Sequence, residues 1–187
     1  MKVIEWDIKL DSFNADEIVN DSVNFFQNGL SYLPDEYREG FLIELKIIIF
    51  EMLTNVKSHG GGSSLKLKYC IADDHVSLEF ISDGNGFRLQ SQHDDILKDE
   101  VITPPFPDKY VGKQITIYKR IEEELKCNVA GQNKLEFMIT PKSVLQTASE
   151  LHEHFGLQII ATVSEKFEYF KTTDSEDIFL IYKKIKV

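Results

Sequence analysis

Between Pro34 and the run Gly60-Gly61-Gly62 the chain holds one uninterrupted stretch with apolar residues at Phe41, Leu42, Leu45, Ile48, Ile49, Met52, Leu53 and Val56. That spacing draws a wide apolar stripe along a helix of 3.6-residue period. A proline opens the stretch and three glycines stop it, so a single long helix is predicted from Pro34 and Asp35 to about His59. A helix with so broad an apolar face has to lie on other elements, and the rest of the chain supplies them.

Lys2 to Leu10 alternates through Val3, Ile4, Trp6, Ile8 and Leu10 and reads as a strand. Ser12 or Asn14 can cap a helix over 15–28, with Ile18, Val19, Val23, Phe25 and Phe26 as its apolar positions. Leu65 to Ile71 and Val76 to Ile81 read as two strands, and Asp73-Asp74 suits the tight turn between them. Residues 88–110 are polar and proline-bearing and are expected to form a mobile loop. Helices are expected over Gly112 to Lys126, Val144 to His154 and 157–164. Strands are expected at Leu135 to Ile139, Phe167 to Phe170 and Ile178 to Ile185. A weak echo matches Val111, Gly112, Gln114 and Ile115 to Phe155, Gly156, Gln158 and Ile159, and shared helix–strand grammar is its favoured cause.

No linker interrupts the pattern, so residues 1–187 read as one α+β domain. With 187 residues, 42% of them hydrophobic, the chain can build one core. Its 21 basic and 31 acidic residues give a net charge of −10, which argues against a nucleic-acid partner because nothing would offset the phosphates. No uncharged apolar run approaches the roughly 18 residues of a membrane span. Met1 leads straight into the alternating pattern with no apolar signal core. Cys70 and Cys127 lie far apart beside apolar residues and read as reduced, buried thiols. Both observations point to the cytoplasm.

On the long helix, Glu44, Glu51, Asn55 and Ser58 form one polar row beside the apolar stripe. At such a border a carboxylate can act as a general base and an amide oxygen can ligate a hard cation. A lone Glu-x-x-x-Asn is most simply a solvated helix face. A second feature changes that reading: Ser82-Asp83-Gly84-Asn85-Gly86-Phe87 follows the strand Val76 to Ile81 with glycines that let backbone approach a ligand.

Taken together, the order resembles the GHKL (Bergerat-fold) ATPase superfamily, most of all the small bacterial anti-sigma-factor serine kinases and the SiaB-type kinases. The carrying stretches are FEMLTNVKSHG (50–60), LEFISDGNGF (78–87), HFGLQII (154–160), FEYF and DIFLIYKKI. They are similar to the family's asparagine box, first glycine box, second glycine box and final hairpin. The resemblance implies a two-layer α/β sandwich, with a mixed, largely antiparallel sheet covered on one face by helices and ATP held between the layers under a lid. It implies Asn55 as the Mg²⁺ ligand and Glu51 as the general base. Gly84 and Gly86 would line the nucleotide pocket, and Gly156 would lie at the phosphates. A long lid or insertion then falls at about 88–153. The implied activity is ATP-dependent phosphorylation of Ser or Thr on a bacterial regulatory protein partner, an anti-anti-sigma type or similar. A degenerate module that binds such a partner without turnover is the alternative. A homodimer is left open.

Two departures bear on that assignment. The family carries Asp-x-Gly-x-Gly, whereas aligning Gly84 and Gly86 sets Ser82 in the place of the adenine-binding Asp and Asp83 one residue late. Strand parity puts Ser82 on the face of Leu78 and Phe80, and Asp83 with Glu79, unless a bulge brings Asp83 inward. The second box also lacks its first glycine, His154 standing there, and Gly112 is a rival to Gly156. Weaker candidates are His59 as a phosphate contact, His152 with His154 as a metal pair, and the basic residues Lys109, Lys113, Lys119 and Arg120. Trp6 and Phe87 read as core rather than as stacking platforms.

Overall fold

The computed structural model describes residues 1–91, 95–97, 100–119, 123–141 and 155–186. In chain order the elements are β1 (Lys2–Lys9), α1 (Ala15–Gly29), α2 (Asp35–His59), β2 (Ser64–Ile71), β3 (His75–Ser82), β4 (Gln114–Lys119), β5 (Glu123–Gly131), β6 (Lys134–Pro141), α3 (Phe155–Val163), β7 (Lys166–Lys171) and β8 (Asp177–Lys184). The strands form one eight-stranded sheet in the order β1-β2-β3-β8-β7-β6-β5-β4. The fold is therefore α+β with a large sheet. Its seven pairings are all antiparallel, where a mixed sheet was expected.

Local chemistry accounts for the helices. The Asn14 side chain accepts the Asp16 N–H at 3.1 Å, so Asn14, not Ser12, caps α1. On α2, Asp35 and Glu36 stand in the first turn and Lys57 in the last, each opposite in sign to the nearby end of the helix dipole. Leu45, Ile48, Ile49, Met52 and Leu53 of α2 are fully buried. Each contributes on the order of 2 kcal/mol through the apolar surface it removes from water.

One face of the sheet is apolar along every strand. Leu65, Leu67, Tyr69 and Ile71 of β2 lie beside Val76, Leu78 and Phe80 of β3, and the pattern continues through Ile181, Phe167, Leu135, Cys127 and Ile115. These side chains share one hydrophobic core with α1, α2 and α3. Lys183, on the same face of β8, ties the parts together. Its ammonium pairs with Glu44 of α2 at 2.6 Å and donates to the Val163 carbonyl at the end of α3, also at 2.6 Å. The opposite face holds ion pairs, among them Glu168 with Lys134 at 2.7 Å and Lys166 at 2.8 Å. Neither cysteine is in a disulfide: Cys127 is buried, but Cys70, on the outer face, is only half-buried.

Two sequence expectations are overturned. Gly112 to Lys126 holds strands β4 and β5 where a helix was predicted. The apolar residues there repeat every two positions (Ile115, Ile117; Leu125, Cys127, Val129), and β-branched residues crowd β4, so strand packing wins over a loose helical spacing. The echo between 111–115 and 155–159 falls with it, since Gln114 opens a strand while Gln158 sits in a helix. Nor is 88–110 a solvated loop in its described part. Leu89, Leu97, Ile102, Phe106 and Tyr110 are buried, and Leu89 and Ile102 exchange backbone hydrogen bonds at 2.8 and 2.9 Å. The stretch read as lid or insertion contributes β4, β5 and β6 to the sheet, while the helix expected over Val144 to His154 lies outside the described residues. Among the described residues no helix is long and apolar enough to cross a membrane.

Candidate active site

The two glycine segments singled out in the sequence meet in space. Asn85 N–H donates to the Gly60 carbonyl at 3.0 Å, which hooks the turn after β3 onto the end of α2. A Cβ on Gly84 would collide with that same carbonyl, so only glycine allows the approach. Gly86 has φ +89°, a left-handed backbone that turns the chain out of the sheet. Asp83 latches the other side. Its carboxylate accepts from Ser63 N–H and Ser64 N–H at 2.8 Å each, and from the Ser63 hydroxyl at 2.6 Å. Those hydrogen bonds hold its carboxyl well below the usual carboxylate range.

Above this junction opens a cleft of about 450 Å³, a volume suited to a small-molecule ligand. Asn55, Val56, Ser58 and His59 of α2 form one wall. Ser82, Asp177 and Phe179 form the floor. Gly86, Phe87, Arg88 and Gln90 run along the mouth, and Leu157 of α3 closes it. Ser82 is 4% exposed and faces the cleft, as strand parity requires, and Asp83 points away without a bulge.

The floor carries a carboxylate that the sequence reading missed. Asp177, the cross-strand partner of Ser82, is also 4% exposed. Its Oδ2 accepts the Gly86 N–H at 2.9 Å and its Oδ1 accepts the Tyr169 hydroxyl at 2.7 Å. Lys171 balances its charge, 3.1 Å from Oδ1, and also donates to the Gly84 carbonyl at 2.9 Å. The Tyr169 hydroxyl in turn accepts the Phe87 N–H at 3.0 Å, and burial first, then Asp177, push its ionisation far up. A carboxylate oxygen accepts two hydrogen bonds, so Oδ2 keeps one acceptor position, on a residue directly opposite Ser82 in the strand register.

Glu51 and Asn55 stand one turn apart on α2, and α3 begins directly against them. A Cβ on Gly156 would collide with the Glu51 carboxylate and reach 3.5 Å from Asn55 Nδ2. The Asn55 amide nitrogen is buried with no hydrogen-bond partner among the described residues, a vacancy worth roughly 1–3 kcal/mol to any group that fills it. Glu51 also faces outward, onto an open groove between α1 and α2. Of the polar row, Glu44 is taken up by Lys183.

Gly112 is elsewhere. It leads into β4 at the far edge of the sheet, with φ +81° and open space around it. Lys109 pairs with Glu100 at 3.1 Å and does not line the cleft. Trp6 packs edge-on against Phe25 and Tyr69, and Phe87 packs against the core through Phe137, Tyr169 and Phe179 as expected, while also lining the cleft. His152, His154 and Arg120 lie outside the described residues.

Arg88 and Gln90 went unnoticed because nothing in their spacing distinguishes them from surface. Asp177 had no local signal either, since its role comes from pairing with a strand far back in the chain. No cluster of three His, Cys, Asp or Glu that could hold a metal occurs among the described residues. Compared with known proteins, the chain matches no family model and no curated relative.

Proposed function

We propose that this chain is a Bergerat-type two-layer domain of the GHKL superfamily. It would act in the bacterial cytoplasm as an ATP-dependent serine/threonine kinase on a regulatory protein partner. The observation that carries the reading is the Asn55 side chain at the wall of a nucleotide-sized cleft, one turn from Glu51 and against Gly156 in the first turn of α3, with its buried Nδ2 left as a donor for a phosphate oxygen.

The residues fit the groups this reading requires. Mg²⁺ binds through one or two protein oxygens plus phosphates and water, so a single amide at the cleft wall is a sufficient protein share. Bound there, Mg²⁺ would neutralise charge on the phosphates during transfer of the γ-phosphoryl group. Asn55 would offer its Oδ1 to Mg²⁺, while the unpartnered Nδ2 is a donor that suits a phosphate oxygen and does not itself ligate a cation. Arg88 and His59 at the rim present cationic or proton-donating groups to phosphate oxygens. The first turn of α3 offers backbone N–H groups that favour an anion. At the floor, Asp177 Oδ2 accepts from an exocyclic amine while the Ser82 hydroxyl donates to a neighbouring ring nitrogen. Together they match the amine edge of adenine, with the carboxylate supplied by β8 in place of β3. Glu51, facing the outer groove, accepts the proton of the substrate hydroxyl as its oxygen attacks the γ-phosphorus and the bond to the β-phosphate oxygen breaks.

A second reading has its own support. Asp177 is already engaged by Gly86, Tyr169 and Lys171, and a module that only binds a partner needs no more than that. Calorimetric titration with ATP, with and without Mg²⁺, separates the two. Asn55→Ala is expected to weaken Mg²⁺-dependent binding about tenfold or more, whereas Glu51→Gln leaves binding intact and abolishes phosphotransfer. An equal loss of binding in both variants defeats the assignment of roles. No nucleotide binding in the unsubstituted protein defeats the kinase reading.

A further inference from the structure

One row of three side chains crosses the floor of the cleft. Ser82 of β3, Asp177 of β8 and Lys171 of β7 are direct partners on adjacent antiparallel strands. The Lys171 ammonium lies 3.1 Å from Asp177 Oδ1 and donates to the Gly84 carbonyl at 2.9 Å. Both side chains of the ion pair are mostly out of water. Removing one partner from such a pair leaves the other charge without its counter-ion in a poorly solvated place.

The two carboxylate oxygens have different duties. Oδ1 accepts the Tyr169 hydroxyl at 2.7 Å and faces Lys171, so it is engaged on both sides. Oδ2 accepts the Gly86 N–H at 2.9 Å and keeps one acceptor position for a ligand. What that position selects depends on the proton. An ionised carboxylate only accepts, so it takes an exocyclic amine and repels a carbonyl oxygen. A protonated one carries an O–H that a carbonyl can accept, and the distinction is lost. Burial favours the protonated form of a carboxyl, and an adjacent cation favours the ionised form. Around Asp177, Ser82 does not titrate, and Tyr169 is a neutral donor whose ionisation burial pushes far up. His59 on the α2 wall and Arg88 at the mouth line the same cleft. Lys171 is the cation in direct contact with the carboxylate.

We propose that Lys171 determines which base this cleft accepts: its pairing with Asp177 holds the free Oδ2 position as a pure acceptor, so a purine with an exocyclic amine is taken and one with a carbonyl at the same ring position is rejected. The proposal rests on the reading of the cleft as a nucleotide site. Lys171 is a positioning residue, acting through Asp177.

Calorimetric titration with ATP and with inosine triphosphate, at about pH 5.5 and about pH 8, tests this. Inosine triphosphate replaces the amine of ATP by a carbonyl and keeps the same triphosphate. Titration of the phosphates, and of His59 beside them, therefore cancels in the ratio of the two affinities. The unsubstituted protein is expected to prefer ATP about tenfold or more at both pH values. Lys171→Met should cut the preference to about threefold or less at the lower pH and regain part of it at the higher, as the carboxyl gives up its proton. Lys171→Arg keeps a cation and should keep the preference. Asp177→Asn cannot titrate and should show little preference at either pH, which carries the test even if Lys171→Met fails to fold by circular dichroism.

Lys171→Met also loses the bond to the Gly84 carbonyl. A merely structural role would weaken both nucleotides alike and leave their ratio and its pH profile unchanged, and that result overturns the proposal. So does an Asp177→Asn protein that still prefers ATP tenfold. Equal affinity of the unsubstituted protein for both nucleotides overturns it while the nucleotide site stands. Binding of neither overturns it together with the nucleotide reading.

Discussion

Ser82→Asp would restore the carboxylate that the family resemblance expects on β3, and the structure predicts that it harms the protein. Ser82 and Asp177 are direct partners on adjacent antiparallel strands, both on the buried face. Side chains so paired have Cβ atoms about 5 Å apart. Two carboxylates at that separation repel by about 3 kcal/mol at an effective dielectric near 20. Lys171, on the far side of Asp177, can offset only part of this because it already pairs with Asp177. The neutral, similarly sized Ser82→Asn supplies the control for bulk. Urea unfolding at pH 7 should therefore show Ser82→Asp less stable than Ser82→Asn by about 2–3 kcal/mol. The pH dependence has a fixed sign. Repulsion raises the carboxyl pKa values in the folded state, so the penalty is present where both groups are ionised and fades as pH falls toward and below the ordinary carboxylate range. The two variants should converge in acid. Equal stability of Asp and Asn at pH 7 would refute the claim that position 82 faces Asp177 in a shared buried floor.

Other consequences follow from the same geometry. Gly156→Ala sets a Cβ where the Glu51 carboxylate lies, and because that carboxylate is the free end of a flexible side chain it swings aside, so stability should change by no more than about 1 kcal/mol while any phosphotransfer falls more than Mg·ATP binding. Thermal melts and single-turnover assays would read the two effects separately. Asp83→Ala opens the latch to Ser63 and Ser64, and for so exposed a group the loss should be about 1 kcal/mol at neutral pH. The folded Asp83 pKa is depressed, so the stability it confers is complete above the unfolded value near 3.8 and is lost as pH falls below it. Unfolding curves of the unsubstituted and Asp83→Ala proteins should therefore separate at pH 7 and merge in strong acid.

Much of the scaffold around the cleft was legible because it is local. A proline, a 3.6-residue apolar stripe and a glycine run are enough to mark α2 and its ends, and alternation marks β2 and β3. The two-residue period of a strand even decides that Ser82 faces the core side while Asp83 faces Ser63 and Ser64. Glu51 and Asn55 share a side of α2 by helix geometry alone, and the polar row they belong to does turn toward α3. At 112–126 local pattern was ambiguous. Apolar residues spaced by two and by three both occur there, and only pairing with β6 and the buried face of the sheet selects the strand.

Whatever depends on register between distant segments could not be read from the chain. The strand order β1-β2-β3-β8-β7-β6-β5-β4 brings the last strand beside the third, and that single adjacency sets Asp177 next to Ser82. Antiparallel register is fixed by the packing of whole faces and by turns far from the residues concerned, so no motif at either position announces the pair. The choice between Gly156 and Gly112 is of the same kind. Each precedes an apolar stretch, but only the docking of α3 on α2 brings one of them against Glu51 and leaves the other in open space at the far edge of the sheet.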